Sequence, residues 1–341
     1  MERVSMIGLD LAKNVFQVHA VDKRGHCILR KSLRRAQVSV FFAQLPACIV
    51  GMEACSSSHY WGRVIASCGH EVKLIPPQYV KPYVKTNKND AADAEAICEA
   101  TSRPHMRFVE LKSPEQQSIL LIHRERDGLM KDRTALINRL RATLGEFGIA
   151  VPSGPARLKQ WFRDSYGIDE GLLPVLMQRH IQRMRARWAE LESCITELDN
   201  EIDEHVKQNE ACKRLLEVPG IGRLTASALV ASVGNALAFK NGRQLSAWLG
   251  LVPKQHSSGG KTVLRGISKR GDAYLRRMLI HGARAVLRHI GTKRNAVSNW
   301  LYELSTRANR NVVIVAMANK LARIAWALLN KGQRYMEPAI G

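Results

Sequence analysis

The chain has 341 residues and a formal charge of +22, from 52 Lys and Arg against 30 Asp and Glu. That length accommodates two domains and a sizeable core, and the charge predicts a polyanionic partner, nucleic acid ahead of an anionic membrane surface. No run of about 18 uncharged apolar residues is present, and the seven cysteines form no CxxC pair and no zinc spacing, which argues against a spanning helix, a zinc module and a disulfide scaffold and points to a reducing cytoplasm.

The N-terminal MERVSMIGLD, with an acid and a base before an apolar run, reads as a strand and not as a signal peptide. Val4, Met6 and Ile7 lead to Asp10. Val15, Phe16, Val18 and Val21 alternate, residues 23–25 turn, and Cys27, Ile28 and Leu29 return. A short amphipathic helix follows at about 38–45. The continuous apolar run 47–52 reads as a strand buried on both faces and ends at Glu53. The serines at 56–58 can cap a helix through Ser67, residues 72–75 read as another strand, Pro76 and Pro77 stop it, and 90–100 is strongly helical. Three strands, helix, strand, helix, strand, helix predict a mixed α/β sheet.

Four carboxylates have informative places in that order. Asp10 and Glu53 end two strands, and Asp90 and Asp93, three apart, project from one helix face. Hard oxygen donors without His or Cys suit Mg²⁺ or Mn²⁺ rather than zinc, and two such ions about 4 Å apart are suited to cleaving a phosphodiester. Each residue alone also has an ordinary reading, since acids often end strands and Asp90 is placed to be an N-cap.

From Ser113 the pattern changes to long helices. Ile119, Ile122, Leu129, Leu136, Leu140 and Leu144 form an apolar stripe interleaved with basic residues, and Gly and Pro break it over 145–175. A second helix at about 177–208 carries Met184, Trp188, Leu191, Ile195, Leu198 and Ile202, alternately four and three apart, a heptad seam. The two helices either pack as an antiparallel pair within the chain or dimerise across chains, and the regularity of the seam favours dimerisation by at least one of them. Pro219-Gly220-Ile221-Gly222 then reads either as a helix-hairpin-helix turn, with Gly220 and Gly222 letting backbone N–H groups approach a phosphate, or as a plain tight turn.

The stretch 254–277 places Ser257, Ser258, Gly259 and Gly260 among Lys254, Lys261, Arg265, Lys269, Arg270, Arg276 and Arg277, with Asp272 its only acid. It reads either as a glycine-rich basic loop gripping phosphate or as a flexible site for a serine nucleophile. The remaining sequence is a basic, half-apolar helical end, with an apolar run over 312–329.

IGLDLAKNVF, VGMEACSSSHYWGRVI and KTNKNDAADAEAI resemble the N-terminal catalytic domain of the DEDD insertion-sequence transposases. VPGIGRLTASALVASVG, AFKNGRQLSAWLGLVPKQHSSGG and RGISKRGDAYLRRMLIHGARA resemble the C-terminal domain of the same family. The resemblance implies an α/β RNase H-like (RuvC-like) domain at 1–108, a helical coiled-coil region at 109–209, and a mainly α-helical transposase domain with a helix-hairpin-helix-like turn at 210–335. It implies Asp10, Glu53, Asp90 and Asp93 as a tetrad for one or two Mg²⁺ or Mn²⁺ ions, with no organic cofactor. Members of the family often read K-T-D where this chain has Asn87, which is given at most a supporting place. The family serine immediately precedes a glycine, which carries over to Ser258, with Ser257 one residue out of register. The implied partners are donor and target DNA, a structured noncoding bridge RNA that pairs with both, and further copies of the chain in a dimer of dimers, acting at the nucleoid in a bacterial cytoplasm. The same residues also admit a metal-dependent, junction-resolvase-like endonuclease in which Ser258 only holds phosphate, and an architectural nucleic-acid binder.

Overall fold

In the computed structural model, strand β1 (Met6–Asp10) pairs along both edges. On one side it forms an antiparallel meander with β2 (Val15–Val21) and β3 (Cys27–Arg34). On the other it pairs in parallel with β4 (Ile49–Glu53), which pairs in parallel with β5 (Glu71–Ile75). The order is β3-β2-β1-β4-β5, the mixed sheet that the sequence predicts. The structure describes residues 4–84, 89–164, 173–290 and 296–337, so Asn87 lies outside the described residues. The chain divides into two units, Met1–Pro114 and Glu115–Gly341.

Period-two alternation decides what lies on each face of this sheet. Ile7 and Leu9 of β1 and Val50 and Met52 of β4 are buried in one cluster with Val38, Phe41 and Phe42 of α1 (Val38–Ala43) and Trp61 and Ile65 of α2 (Ser58–Ser67). The opposite face carries Gly8 and Gly51, which are register partners. After the short α3 (Pro77–Val80), helix α4 (Asp90–Thr101) lies on that face.

Two helix starts differ from expectation. The serines at 56–58 turn the chain without capping α2: Ser57 has φ 66° and no side-chain cap bond, and Ser58 Oγ donates back to the Cys55 carbonyl at 2.8 Å. Asn89, and not Asp90, caps α4, its side-chain oxygen accepting from Ala91 N–H at 3.0 Å. Asp90 is thereby left in the first turn with its carboxylate free of capping.

The second unit begins with α5 (Pro114–Gly145), α6 (Pro155–Asp164) and α7 (Val175–Gln208). Arg126 pairs with Asp199 at 2.5 Å and Arg133 with Glu192 at 3.0 Å, so α5 and α7 run antiparallel. At one end Leu136, Ile137, Leu140 and Leu144 pack with Ile181, Met184 and Trp188. At the other end Ile119 and Ile202 enter a larger core. The heptad seam is filled from within the chain, with Leu191 and Leu198 left half-buried.

That larger core is built by α8 (Glu210–Leu216), α9 (Arg223–Val233), α10 (Gly242–Trp248) and helices α11 (Ala273–Arg288), α12 (Ala296–Arg307) and α13 (Arg310–Lys331), while a mostly exposed two-stranded ribbon of β6 (Pro253–Gln255) and β7 (Leu264–Ile267) lies outside it. His123 is buried inside it, its Nδ1 3.0 Å from Tyr274 Oη and its Nε2 2.8 Å from Ser227 Oγ, tying α5 to α11 and α9. Burial, then the neighbouring Arg126, pushes this imidazole down to about 4, so it is a neutral crosslink. Among the described residues α13 is the one helix long and apolar enough to cross a membrane by length and composition, and half of that window is buried in this core.

Candidate metal centre and serine hairpin

The metal-binding candidates are brought together by the absence of two side chains. A Cβ on Gly8 would meet the Ala94 carbonyl oxygen at 2.1 Å and Cys98 N at 2.5 Å, and one on Gly51 would meet Thr101 Oγ1 at 1.8 Å. The two glycines form a flat seat for α4, which rests its backbone on Gly8 and the Thr101 side chain on Gly51. Asp10 lies two residues beyond Gly8 and Glu53 two beyond Gly51, so both point to the face that α4 covers. The first turn of α4 then delivers Asp90 and Asp93 beside them.

Carboxylate oxygens of Asp10, Asp90 and Asp93 all lie within 4.8 Å of one another. Glu53 stands close enough to repel Asp10 and to be repelled by Asp93. Burial, and then the charges of Asp93, Asp90 and Glu53, push the Asp10 carboxyl up from 3.8 to about 6. Burial and Asp93 raise Glu53 as well. Among the described residues no Lys or Arg forms an ion pair with any of the four, in a chain with a surplus of 22 positive charges. Burial, followed by the repulsion of Glu53 and Asp10, also raises the nearby Cys55 thiol, which disfavours a thiolate donor. Oxygen donors, mutual repulsion and no counter-cation among the described residues together fit a hard divalent ion.

The seat gives a direct test. Gly8→Ala is expected to push α4 away through backbone contacts that cannot yield, costing roughly 2–3 kcal/mol by overpacking and separating Asp90 and Asp93 from Asp10. Thermal melts should show a lower midpoint, and a Mn²⁺ titration should show weakened binding. Unchanged metal affinity would detach the seat from the centre.

The serine stretch forms the tip of a hairpin. His256 N–H donates to the Val263 carbonyl at 2.9 Å and Lys261 N–H to the Ser258 carbonyl at 3.0 Å, which extends the β6–β7 ribbon to a tight tip. Gly259 and Gly260 turn it with φ of 55° and 76°, the pair of positive values that a type I′ hairpin needs. Open space surrounds both glycines, so backbone conformation alone selects them. Ser258 is the residue entering the turn. Ser257 Oγ accepts from Gln255 Nε2 at 2.9 Å, whereas Ser258 Oγ has no partner among the described residues. The ribbon alternates faces, so the two hydroxyls face opposite sides.

The surrounding cations divide into two groups. Lys254, Lys261, Arg265, Lys269 and Arg270 are exposed and form no ion pair among the described residues. Arg276 and Arg277, expected to contact phosphate, are occupied within the fold. Arg276 donates to the Leu249 and Arg270 carbonyls at 3.0 and 2.9 Å, and Arg277 donates to Asp127 and lies over the Tyr274 ring. Asp272 caps α11 by accepting from Leu275 N–H at 3.0 Å. Gly220 likewise has a packing reason: at φ 93° its carbonyl oxygen would lie 1.8 Å from a Cβ on Gly282, so the turn and α11 meet backbone to backbone. Gly222 precedes α9 with open space beside it, and so leaves that helix start accessible.

Residues 7–149 match a family model described as Transposase, of the DEDD IS110 type. Residues 212–298 match one described as Transposase IS116/IS110/IS902 family. The chain is 52% identical over 333 residues to a probable family 20 transposase of Pseudomonas aeruginosa, covering 97% of this chain and 98% of that relative. It belongs to the IS110 family of insertion-sequence transposases. The transposase is also 44% identical to the transposase of insertion sequence element IS1328 from Yersinia enterocolitica, over 97% of this chain and 98% of the relative. It is 43% identical to that of IS1111A from Coxiella burnetii, over 98% and 92%. A transposase of this family is an enzyme that cleaves and rejoins DNA strands. The four carboxylates lie in the first matched region, and the serine hairpin in the second.

Proposed function

We propose that the transposase exchanges DNA strands through a covalent phosphoserine link formed by Ser258, with Asp10, Glu53, Asp90 and Asp93 holding one or two Mg²⁺ or Mn²⁺ ions. The carrying observation is the cluster of three carboxylates within 4.8 Å, uncompensated by any cation among the described residues. Ser258 Oγ bonds to the scissile phosphorus, the bond from phosphorus to the leaving strand's sugar oxygen breaks, and the seryl proton ends on that oxygen. A free hydroxyl is a weak nucleophile, and a divalent ion in the tetrad would lower the pKa of an attacking oxygen and offset charge on the phosphate. The exposed cations of the ribbon stabilise charge developing on the non-bridging oxygens. Because the link conserves the phosphodiester, a second DNA hydroxyl reverses the step and seals a new junction without a high-energy cofactor.

Recognition of the two DNA sites belongs in this reading to a structured bridge RNA that pairs with donor and target. The protein supplies backbone grip, in keeping with its +22 charge. The active form is a dimer of dimers in which the serine of one subunit serves the carboxylates of another, working at the bacterial nucleoid. The test is to express the protein with its native flanking DNA and sequence the nucleic acid that co-purifies. One discrete RNA from those flanks, complementary in separate segments to two DNA sites, is the expected result. Only mixed cellular RNA would remove the guide from this proposal.

A further inference from the structure

We propose that a groove between the serine ribbon and α13 holds unpaired nucleotides of the DNA strand that is cut at the ribbon tip. Helix α13 is apolar on two faces. Val313, Ile314, Met317, Ala318 and Leu321 are buried in the core. Val312, Val315, Ala316 and Ala327 instead line an open groove of about 1200 Å³, with Val312 57% exposed. The ribbon contributes Pro253, Arg265 and Ile267 to the lining, α10 contributes Arg243 and α12 contributes Trp300.

Charge identifies the occupant. Arg243, Arg265, Lys320 and Arg323 line the groove, and among the described residues no acidic one does. None of the four forms an ion pair among the described residues. Lys320 Nζ sits 4.4 Å from the centre of the Trp300 ring. The groove therefore fits a ligand with flat apolar faces and regularly spaced anions. Single-stranded nucleic acid has both, with bases against Val, Ala and Trp side chains and phosphates against the cations. A duplex turns its bases inward and gains nothing from an apolar floor.

Position identifies the strand as DNA. From Pro253 to Ser258 the ribbon spans roughly 17 Å at ~3.3 Å per residue, so the groove opens within a few nucleotides of a phosphate held at the tip. A strand released from pairing on one side of the cut is led into it, which keeps the broken end in place for exchange. This inference rests on the reading of the ribbon tip as the site of cleavage.

The test uses fluorescein-labelled oligo(dT), oligo(rU) and a duplex with the full-length protein and its Val312→Glu and Arg323→Glu variants, both at exposed positions. Circular dichroism melts serve to check that the variants are folded. The expected result is about tenfold weaker oligo(dT) binding in each variant, with duplex binding within about twofold of the original, and crosslinking of 4-thiothymidine beside the cut site to α13. Equal losses for duplex and single strand would reduce the groove to general electrostatics and overturn the proposal. Tighter oligo(rU) binding with the same sensitivity would assign the groove to RNA and overturn it as well. A changed oligomeric state with unchanged oligo(dT) binding would assign it to a second copy of the chain. Failure here is separable from failure of the serine reading. If adduct formation still depends on Ser258 while the groove variants bind oligo(dT) normally, only the groove assignment falls.

Discussion

Replacing Ser258 by alanine is expected to abolish the SDS-resistant protein–DNA adduct and to reduce strand exchange at least on the order of 10³-fold. The change should cost almost no stability. Ser258 Oγ has no partner among the described residues, and Gly259 and Gly260, which set the turn, remain. Ser257→Ala is the matched control. It loses a hydrogen bond from Gln255 on the opposite face of the ribbon, and adduct formation should persist. An adduct lost only in Ser257→Ala would move the nucleophile by one residue. Cleavage that continues undiminished in both variants would mean that the carboxylate centre cuts alone, as in a junction resolvase.

Asp10→Asn should separate activity from stability. Activity is expected to fall on the order of 10³-fold or more, because the centre loses the carboxylate that faces all three others. Metal-free stability at neutral pH is expected to rise. Burial and its acidic neighbours push the folded carboxyl up to about 6 from an ordinary 3.8, so its contribution to stability is whole below about 3.8 and is lost as pH climbs through about 6. Asparagine never incurs that loss. Discounted for solvent screening, the gain above pH 6 is about 1 kcal/mol, or roughly 4 °C for a unit of this size. Melts in EDTA at neutral pH should favour Asp10→Asn, and the gap should close near pH 4. Millimolar Mg²⁺ should reverse the order by stabilising the original protein more. An original protein that is already the more stable in EDTA at neutral pH would contradict the picture of a repulsive, ion-dependent cluster.

Much of this was legible in the chain because it depends on local pattern. The strands of the first unit show as alternation, as in β2, or as a short apolar run, as in β4. Asp10, Glu53, Asp90 and Asp93 stand at strand ends and on one helix face, which the residue order alone displays. What escaped depends on neighbours remote in sequence. Nothing near Arg276 or Arg277 signals that the Leu249 carbonyl and Asp127 occupy them, since the first lies just past the end of α10 and the second on α5; only the Arg270 carbonyl, in the turn before α11, is a local partner. The heptad seam of α7 reports that an apolar partner exists but not whose it is, and here α5 of the same chain supplies it. The serine ribbon was missed for a different reason. Its Gly-Gly pair is a hairpin signal, but the flanking residues are polar, so alternation could not reveal the strands. Asn89 displaced Asp90 as cap because the chain offers two competent residues in succession, and the helix begins one residue earlier than a cap at the acid would place it.

The glycine seat bears on how sequence comparison among such enzymes is read. Gly8 and Gly51 carry no side chain with which to hold an ion or move a proton, yet neither position has room for a Cβ. In a saturation screen scored by transposition, these two positions would tolerate as little as Asp10 and Glu53. Invariance at four sites in two short segments would then look like one catalytic motif, although half of it serves only to let a helix come close. A screen scored by folding would divide them: the glycines would fail it, and the carboxylates, which repel one another, would pass.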